Sequence, residues 1–90
     1  MGREVKLFKS EEKKNRSDIS MFLRHLADKI ETGQVTLRQG ADEIVLDIPE
    51  TAILEVQVED EEKGRKGIQH SLEVEIKWYD TEQGGSLELA

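Results

Sequence analysis

Two histidines have the most versatile chemistry in this sequence, since an imidazole can hold a metal ion or transfer a proton near neutral pH. His25 precedes Asp28 by three residues, so the two side chains are neighbours if the segment is helical. A pair without a third ligand at a recognised spacing is more typical of a solvated helix surface. His70 follows a charged segment, where we expect a hairpin residue. We therefore assign neither histidine to a metal site or a catalytic site.

A run of four acidic residues, Glu59 to Glu62, is a second candidate for chemistry. Carboxylate oxygens are the ligands that a hard cation such as Ca²⁺ prefers. The spacing of an EF-hand loop is absent, however, and the run passes directly into Lys63, Arg65 and Lys66. Pairing of these opposite charges with one another is the favoured interpretation, and we predict no metal site.

The segment Gly64-Arg65-Lys66-Gly67 has the pattern with which KH domains clamp a nucleic-acid backbone. In KH domains this loop joins two helices. Here the flanking residues have the alternation of strands, so the segment is interpreted as the end of a β-hairpin.

Trp78 is the only tryptophan, and an indole can stack on a base or a flavin. It alternates in sequence with Leu72, Val74 and Ile76, so the four side chains share one face of a strand. If that face meets the helix, Trp78 belongs to the core or its rim. Binding of a small ligand at Trp78 stays open as an alternative.

Composition excludes several kinds of site. The 90 residues include no cysteine, which excludes disulfides, zinc sites with Cys ligands, iron–sulfur clusters and cysteine nucleophiles. The sequence also lacks the glycine patterns that bind phosphates and dinucleotides, and the nucleophile elbow of serine hydrolases. We expect no enzymatic activity and no cofactor.

Charge is distributed unevenly along the chain. Residues 1–16 carry six basic and three acidic side chains, whereas residues 17–90 carry seven basic and seventeen acidic ones. Phosphate is repelled by the acidic part, so nucleic acid is not an expected partner of the body of the protein. The basic N-terminal segment and the Lys63–Lys66 loop leave weak nucleic-acid binding as a further alternative.

Hydrophobic periodicity predicts one amphipathic helix. Asn15 and Ser17 are both suitable N-caps, and Asp18 lies three residues after Asn15, as in a capping box. Gly33 is expected to end the helix. The apolar stripe between them has the 3.6-residue period and consists of Ile19, Phe22, Leu23, Leu26, Ala27 and Ile30.

The remaining segments alternate with a period of two and predict strands. An edge strand is predicted over residues 3–10, before the helix, and four strands follow it. A charged loop is predicted from Asp60 to Gln69. The four later strands are centred on the alternating residues Val35 and Leu37; Ile44, Leu46 and Ile48; Leu54, Val56 and Val58; and Leu72, Val74, Ile76 and Trp78.

These elements predict an α+β class in which one amphipathic helix packs on a mainly antiparallel sheet, in two layers, with the order β-α-β-β-β-β. Apolar residues make up 36% of the chain, enough for one modest core. A single domain is predicted over residues 1–80, with a flexible tail at 81–90. The predicted core is Ile19, Phe22, Leu23, Leu26, Ile30, Leu46, Val56, Val74, Ile76 and Trp78.

Two segments resemble the amphi-Trp domain family. The stretch from Arg16 to Gly33 resembles its helix, and Ser71 to Trp78 resembles its amphipathic strand closed by a tryptophan. This family is small and prokaryotic and has no assigned activity. The resemblance therefore implies the fold and a cytoplasmic location, and it transfers no catalytic residue.

The face of the sheet turned away from the helix is the expected interaction surface. It is predicted to carry four apolar residues among charged ones, and such patches mark interfaces when the residues cluster. We expect a small non-enzymatic interaction module without a membrane segment. Its partner is another protein or a second copy, in a homodimer formed through this face or an edge strand. The four candidate residues are Phe8, Val45, Ile53 and Tyr79.

Overall fold

The computed structural model describes residues 2–80. By its contacts the chain divides into two compact units, Met1–Ile48 and Pro49–Ala90, and each is described separately below. The predicted single domain over residues 1–80 remains a prediction, and the predicted tail at 81–90 lies outside the described residues.

The first unit begins its regular structure with helix α1, Arg16–Thr32. Asn15 is the N-cap, and its Oδ1 accepts a hydrogen bond from the backbone N–H of Asp18 at 2.7 Å. This bond satisfies one of the amide groups that a helix leaves free at its start. Of the two N-caps considered from the sequence, Asn15 and Ser17, the structure uses Asn15.

Gly33 ends the helix, as predicted, with a φ angle of +90°. This left-handed conformation suits a residue without a Cβ atom. Its N–H donates to the carbonyl of Ile30 at 2.9 Å, and its own carbonyl accepts from the N–H of Ile48 at 2.8 Å. Gly33 therefore joins the end of the helix to the end of the hairpin that follows.

That hairpin consists of β1, Gln34–Gln39, and β2, Asp42–Asp47. The strands are antiparallel and are connected by Gly40 and Ala41. Strand β1 contacts α1. One face of the hairpin carries the partly or fully buried side chains Val35, Leu37, Ile44 and Leu46.

The second unit is a longer hairpin of β3, Ile53–Glu62, and β4, Ile68–Lys77. A short 3₁₀ turn, Gly64–Lys66, connects the strands. The strands pair antiparallel over their full length, from Ile53 opposite Lys77 to Glu62 opposite Ile68.

The structure corrects the predicted loop from Asp60 to Gln69, since only residues 63–67 lie between the strands. Gly64 and Gly67 have φ angles of +64° and +87°, which allow the chain to reverse within a few residues. The N–H of Lys63 donates to the carbonyl of Gly67 at 2.8 Å and closes the turn. The charged residues at the ends of the strands are solvent-exposed, so pairing does not bury their charges.

The α+β class is confirmed, and so is the order of one helix followed by four antiparallel strands. The predicted strand at 3–10 is wrong, because residues 2–15 form no regular element. A strand requires a hydrogen-bonded neighbour, and the two sheets of the described residues pair β1 only with β2 and β3 only with β4. Val5 and Leu7, which suggested a strand, are 70% and 73% exposed.

The predicted core residues differ from one another in burial. Val35, which that prediction did not include, is 3% exposed and is the one fully buried hydrophobic residue within residues 2–80. Five of the ten predicted core residues are half-buried, namely Leu26, Ile30, Leu46, Ile76 and Trp78. The other five, Ile19, Phe22, Leu23, Val56 and Val74, are 48–62% exposed. The prediction that all ten form one core stays a prediction.

Between residues 2 and 80, no helix combines the length and the apolar character needed to cross a membrane.

Truncation of the buried valine is expected to destabilise the protein. We predict that Val35→Ala lowers the free energy of unfolding by about 2 kcal/mol, because it removes buried methyl groups and leaves a cavity. Val45→Ala in the adjacent strand is the matched control, since Val45 is 51% exposed, and it should change stability by less than about 0.5 kcal/mol. Urea titrations followed by circular dichroism measure both values. Equal losses would contradict the assignment of Val35 to the core.

Substitution of Gly33 is expected to act through the backbone. A Cβ atom at this position would meet only the Ile48 carbonyl oxygen, at 3.8 Å, which is an ordinary contact. A residue with a Cβ atom is strained at this positive φ angle, so Gly33→Ala should lower the free energy of unfolding by about 1–2 kcal/mol. Gly33→Asn should lose less, since asparagine tolerates this conformation better. An alanine variant that melts like the parent would contradict the left-handed cap.

Candidate interaction surface

The hairpin of β3 and β4 separates apolar from charged side chains. Successive residues of a strand point to opposite faces, and residues directly opposite in an antiparallel pair share a face. The register is centred on Arg65, so that Asp60 lies opposite His70 and Val56 opposite Val74. Apolar and polar residues alternate in the first half of β3 and in the last half of β4. The register places the apolar residues of the two strands opposite one another.

The apolar face of the hairpin, as we call it, is built from three cross-strand pairs. They are Leu54 with Ile76, Val56 with Val74, and Val58 with Leu72. Five of these six side chains are 59–75% exposed, and Ile76 is half-buried. Trp78 follows directly after β4 and is also half-buried. Within the second unit, these pairs form a continuous row of aliphatic side chains.

The opposite face of the hairpin is acidic. Glu55 lies directly opposite Glu75, and Gln57 lies opposite Glu73. Like charges at opposed positions destabilise a strand pair. The basic residue of this face is Lys77, whose Nζ donates to Glu55 Oε1 at 2.5 Å. The hydrogen bond and the charge of Glu55 raise the pKa of Lys77 above its ordinary value of 10.5.

The acidic run does not form a cation site in this geometry. Glu59 and Glu61 belong to the acidic face, whereas Asp60 and Glu62 alternate onto the other face. Glu61 also pairs with Lys63 at 3.3 Å, as the sequence interpretation of local charge pairing expects. Among the described residues, no three His, Cys, Asp or Glu side chains are grouped closely enough to hold a metal ion.

The two histidines have different surroundings. His25 is exposed on α1, and no hydrogen bond of the described structure joins it to Asp28. His70 contacts Asp60 across the strands, with 2.6 Å between its Nδ1 and the carboxylate Oδ1. Both side chains of this pair are mostly exposed. Sequence reasoning missed this pair. The signal that could have found it is that Asp60 and His70 are equally far from Arg65, the centre of the turn, and are therefore opposite each other in the hairpin.

The four predicted interaction residues lie in both units. Phe8 and Val45 belong to the first unit, and Ile53 and Tyr79 to the second. Phe8 is half-buried, whereas Val45 and Tyr79 are 51% and 69% exposed. Ile53 is 49% exposed and lies opposite Lys77, on the acidic face of the hairpin. Val45 lies on β2 and Ile53 on β3, whereas Phe8 and Tyr79 lie outside the strands. The prediction that the four form one surface stays a prediction.

Shallow cavities lie in the first unit. One of about 470 Å³ is lined by residues that include Ser10, Asp18 and Phe22. A second, of about 420 Å³, shares Ser10 and Phe22 and adds Phe8 and Leu37. Trp78 lines neither cavity, so these spaces do not provide the indole-lined pocket that the ligand-binding alternative requires.

The basic turn of the hairpin is exposed. Residues 63–67 carry the side chains of Lys63, Arg65 and Lys66 at the tip, and all five residues are exposed. The turn connects two strands, which confirms that it is a hairpin end. It does not have the helix–loop–helix setting of a KH domain.

Comparison with known families adds to this geometry. The family model of the Amphi-Trp domain matches residues 1–90, the whole chain. The chain belongs to the Amphi-Trp domain family. The strand that suggested this resemblance is β4, which has one apolar and one charged face and is followed directly by Trp78. No curated protein and no solved structure matches this Amphi-Trp chain significantly.

The pair of Lys77 and Glu55 gives a prediction about pH. A raised pKa of Lys77 in the folded state means that its ion pair contributes stability below the ordinary value of 10.5 and loses this contribution as the pH rises through the folded pKa. We expect the Lys77 side-chain NMR signal to titrate above 10.5 in the parent. In Glu55→Gln, which removes the cause, it should titrate closer to the ordinary value. Identical titration curves would show that Glu55 does not hold Lys77.

Proposed function

We propose that this Amphi-Trp protein is a small non-enzymatic protein-interaction module that binds its partner through the apolar face of the hairpin. The observation that supports this proposal is the exposure of Leu54, Val56, Val58, Leu72 and Val74, each 59–75% accessible. Exposed apolar patches of this kind, bordered by polar residues, mark interaction sites in soluble proteins.

The energetics of a hairpin support the same proposal. An isolated two-stranded sheet is at best marginally stable in water and needs a cover over its apolar face. Burial of one aliphatic side chain stabilises a structure by about 1.5–3 kcal/mol. Five such side chains on one face therefore provide a substantial driving force for a partner that covers them. The strands also have unpaired edges within the described sheets, but the face offers far more apolar area.

The location of the surface differs from the one expected from sequence. That expectation chose the side of the sheet with Ile53, Val45 and their neighbours, because the opposite side was assigned to the core. In the hairpin, Ile53 stands among glutamates, whereas the exposed aliphatic residues occupy the other face. The proposed interaction surface is therefore the apolar face and not the four residues first considered.

The other expected functions find less support. Binding of nucleic acid would bring phosphates near the acidic face with Glu55, Glu73 and Glu75, which repels them. Binding of a small ligand at Trp78 stays an alternative, and the two cavities described in the first unit do not support it, because they are lined by other residues. A cytoplasmic location, which the family resemblance implies, is part of the proposal.

The proposal is tested by site-specific photocrosslinking in cells. A photoreactive residue at position 58 would lie on the apolar face, and one at position 57 would lie on the acidic face of the same strand. We expect position 58 to give a discrete intermolecular crosslink and position 57 to give little or none, because only the apolar face is covered by the partner. The measurement is the mass and identity of the crosslinked species.

The control is adjacent in sequence and belongs to the same strand, so both sites share the expression level and the fold. Equal crosslinking at positions 57 and 58, or no intermolecular product at 58, would contradict the proposal.

A further inference from the structure

The outer edge of β4 has no hydrogen-bonded strand beside it within residues 2–80, since β4 pairs only with β3. The free N–H and C=O groups of such an edge can pair with another extended chain. Proteins usually protect an edge strand with a proline, a bulge or charged residues. Strand β4 contains no proline, and its register with β3 runs from Ile68 to Lys77 without a bulge.

The outer edge of β3 is protected by its charges. When two copies of one strand pair antiparallel and keep their apolar residues on one side, opposed residues are both even-numbered or both odd-numbered. For β3, the two arrangements of this kind with the greatest overlap set Glu55 opposite Glu59 or Glu61 of the other copy. Like charges at opposed positions destabilise a strand pair, so β3 is not suited to pair with itself.

We infer that β4 pairs antiparallel with β4 of a second copy, around a two-fold axis at Leu72, so that two hairpins form one four-stranded sheet. The pairing uses only the second unit of each copy, and it is independent of the partner proposed for the apolar face. Residues directly opposite in an antiparallel pair share a face. The apolar faces of both copies therefore lie on the same side of the sheet.

The apolar residues of β4 are complementary to themselves in this register. Leu72 lies opposite Leu72 of the partner subunit, and Ile68 lies opposite Ile76. His70 lies opposite Val74, so the imidazole meets no second charge. Leu72 and Val74 are 71% and 62% exposed, and each gains an apolar or aromatic neighbour across the new strand pair.

The charged residues of β4 decide between neighbouring registers. With the axis at Leu72, Gln69 lies opposite Glu75 and Ser71 lies opposite Glu73, so no like charges are opposed. An axis one residue later would set Glu73 opposite Glu73 of the partner subunit. An axis one residue earlier would shorten the ladder by two residues. The register centred on Leu72 therefore combines a long ladder with the absence of opposed charges.

The size of the hairpin also favours this pairing. A two-stranded sheet is at best marginally stable in water, whereas three or more strands with an apolar face can be stable. An antiparallel ladder over Ile68–Ile76 adds about eight to ten main-chain hydrogen bonds. The second copy thus supplies the further strands that the hairpin lacks among the described residues.

The first experiment is disulfide trapping. The parent has no cysteine, so a single introduced thiol reports only its own contacts. Leu72→Cys places two thiols opposite each other at the axis, with Cβ atoms about 4.5–5.5 Å apart, close to the separation in a disulfide. We expect a covalent dimer under mild oxidation, measured by non-reducing electrophoresis.

Val58→Cys is the matched control for this experiment. Val58 lies opposite Leu72 in the same hairpin and is similarly exposed, at 75%. In the four-stranded sheet it is three strand spacings from its counterpart, about 14 Å, so it should stay reduced. Equal trapping at positions 58 and 72 would overturn the edge pairing, because copies stacked through their apolar faces would give that result.

The second experiment tests the register with two variants, His70→Cys and Val74→Cys. In either variant alone, the two thiols are separated by four residues along the strands, about 13 Å, so little disulfide should form. In a mixture, position 70 of one copy lies opposite position 74 of the other. We expect a mixed disulfide, identified by its mass, and its absence would overturn the axis at Leu72.

The third experiment measures association by sedimentation velocity on the full chain, from low micromolar to sub-millimolar concentrations. We expect a reversible change from 10.3 kDa to twice that mass. Because Gln69 faces Glu75 of the partner subunit, Gln69→Lys should tighten the dimer severalfold and Gln69→Glu should weaken it severalfold. A variant that merely failed to fold could not produce the tightening.

The same two substitutions at Gln57 are the controls. Both glutamines lie opposite a glutamate of their own hairpin, Gln69 opposite Glu61 and Gln57 opposite Glu73, so the effects within the hairpin are matched. Position 57 belongs to β3, away from the proposed contact, and its variants should leave the association constant within about twofold. Equal effects at positions 57 and 69 would contradict the pairing through β4.

The outcomes separate this dimer from the proposed function. A parent chain that stays monomeric at every concentration overturns the dimer, and it leaves the proposed function to the identity of the protein crosslinked at position 58. A disulfide at position 72, with no intermolecular photocrosslink at position 58, would retain the dimer and remove the proposed partner of the apolar face.

Discussion

A two-stranded sheet cannot shield either of its faces from water by itself, and this constraint shapes both units of the protein. In the first unit, α1 contacts strand β1 of the hairpin, and Val35 is fully buried there. In the second unit, the hairpin of β3 and β4 is longer, yet five of the six side chains of its aliphatic row are more than half exposed. This difference in burial between the two hairpins is the physical basis of the proposed interaction role, because exposed aliphatic rows drive association.

The acidic face of the longer hairpin has its own effect. The opposed pair of Glu55 and Glu75 weakens the strand pairing, while the bond from Lys77 to Glu55 offsets part of that repulsion. Charge on one face also keeps that face in water. An acidic face of this kind discourages indiscriminate stacking of sheets, so the proposed binding is confined to the apolar side.

The elements with a strong local signal were predictable from sequence. The helix has an N-cap at Asn15, a continuous stripe and a glycine at its end, and these signals agree with one another. The strands alternate clearly, so their existence followed from the period of two. The segment 3–10 alternates imperfectly, and a strand depends on a distant neighbour that local sequence does not specify. This is why the edge strand was wrong while the helix was right.

The surface was harder to predict than the elements. Alternation shows which residues share a face, but it does not show which face is covered. Sequence reasoning assigned Val56 and Val74 to the core because they alternate onto the face expected to meet the helix; they are 59% and 62% exposed, and that assignment stays a prediction. Conversely, Val35 stands alone between polar residues, yet its position opposite Leu46 and next to the helix buries it. Burial is a property of tertiary contacts, so composition alone could not rank these valines.

The short turn at residues 63–67 determines more than the reversal of the chain. Because side chains alternate with a period of two, the number of residues in the turn fixes which side of β4 faces which side of β3. With the present length, Leu54, Val56 and Val58 of β3 each stand opposite an aliphatic residue of β4. A turn one residue longer or shorter that kept β3 in place would set Val56 opposite Glu73 or Glu75. Insertions and deletions at this tip would therefore change the chemistry of both faces of the hairpin, including the face proposed to bind a partner.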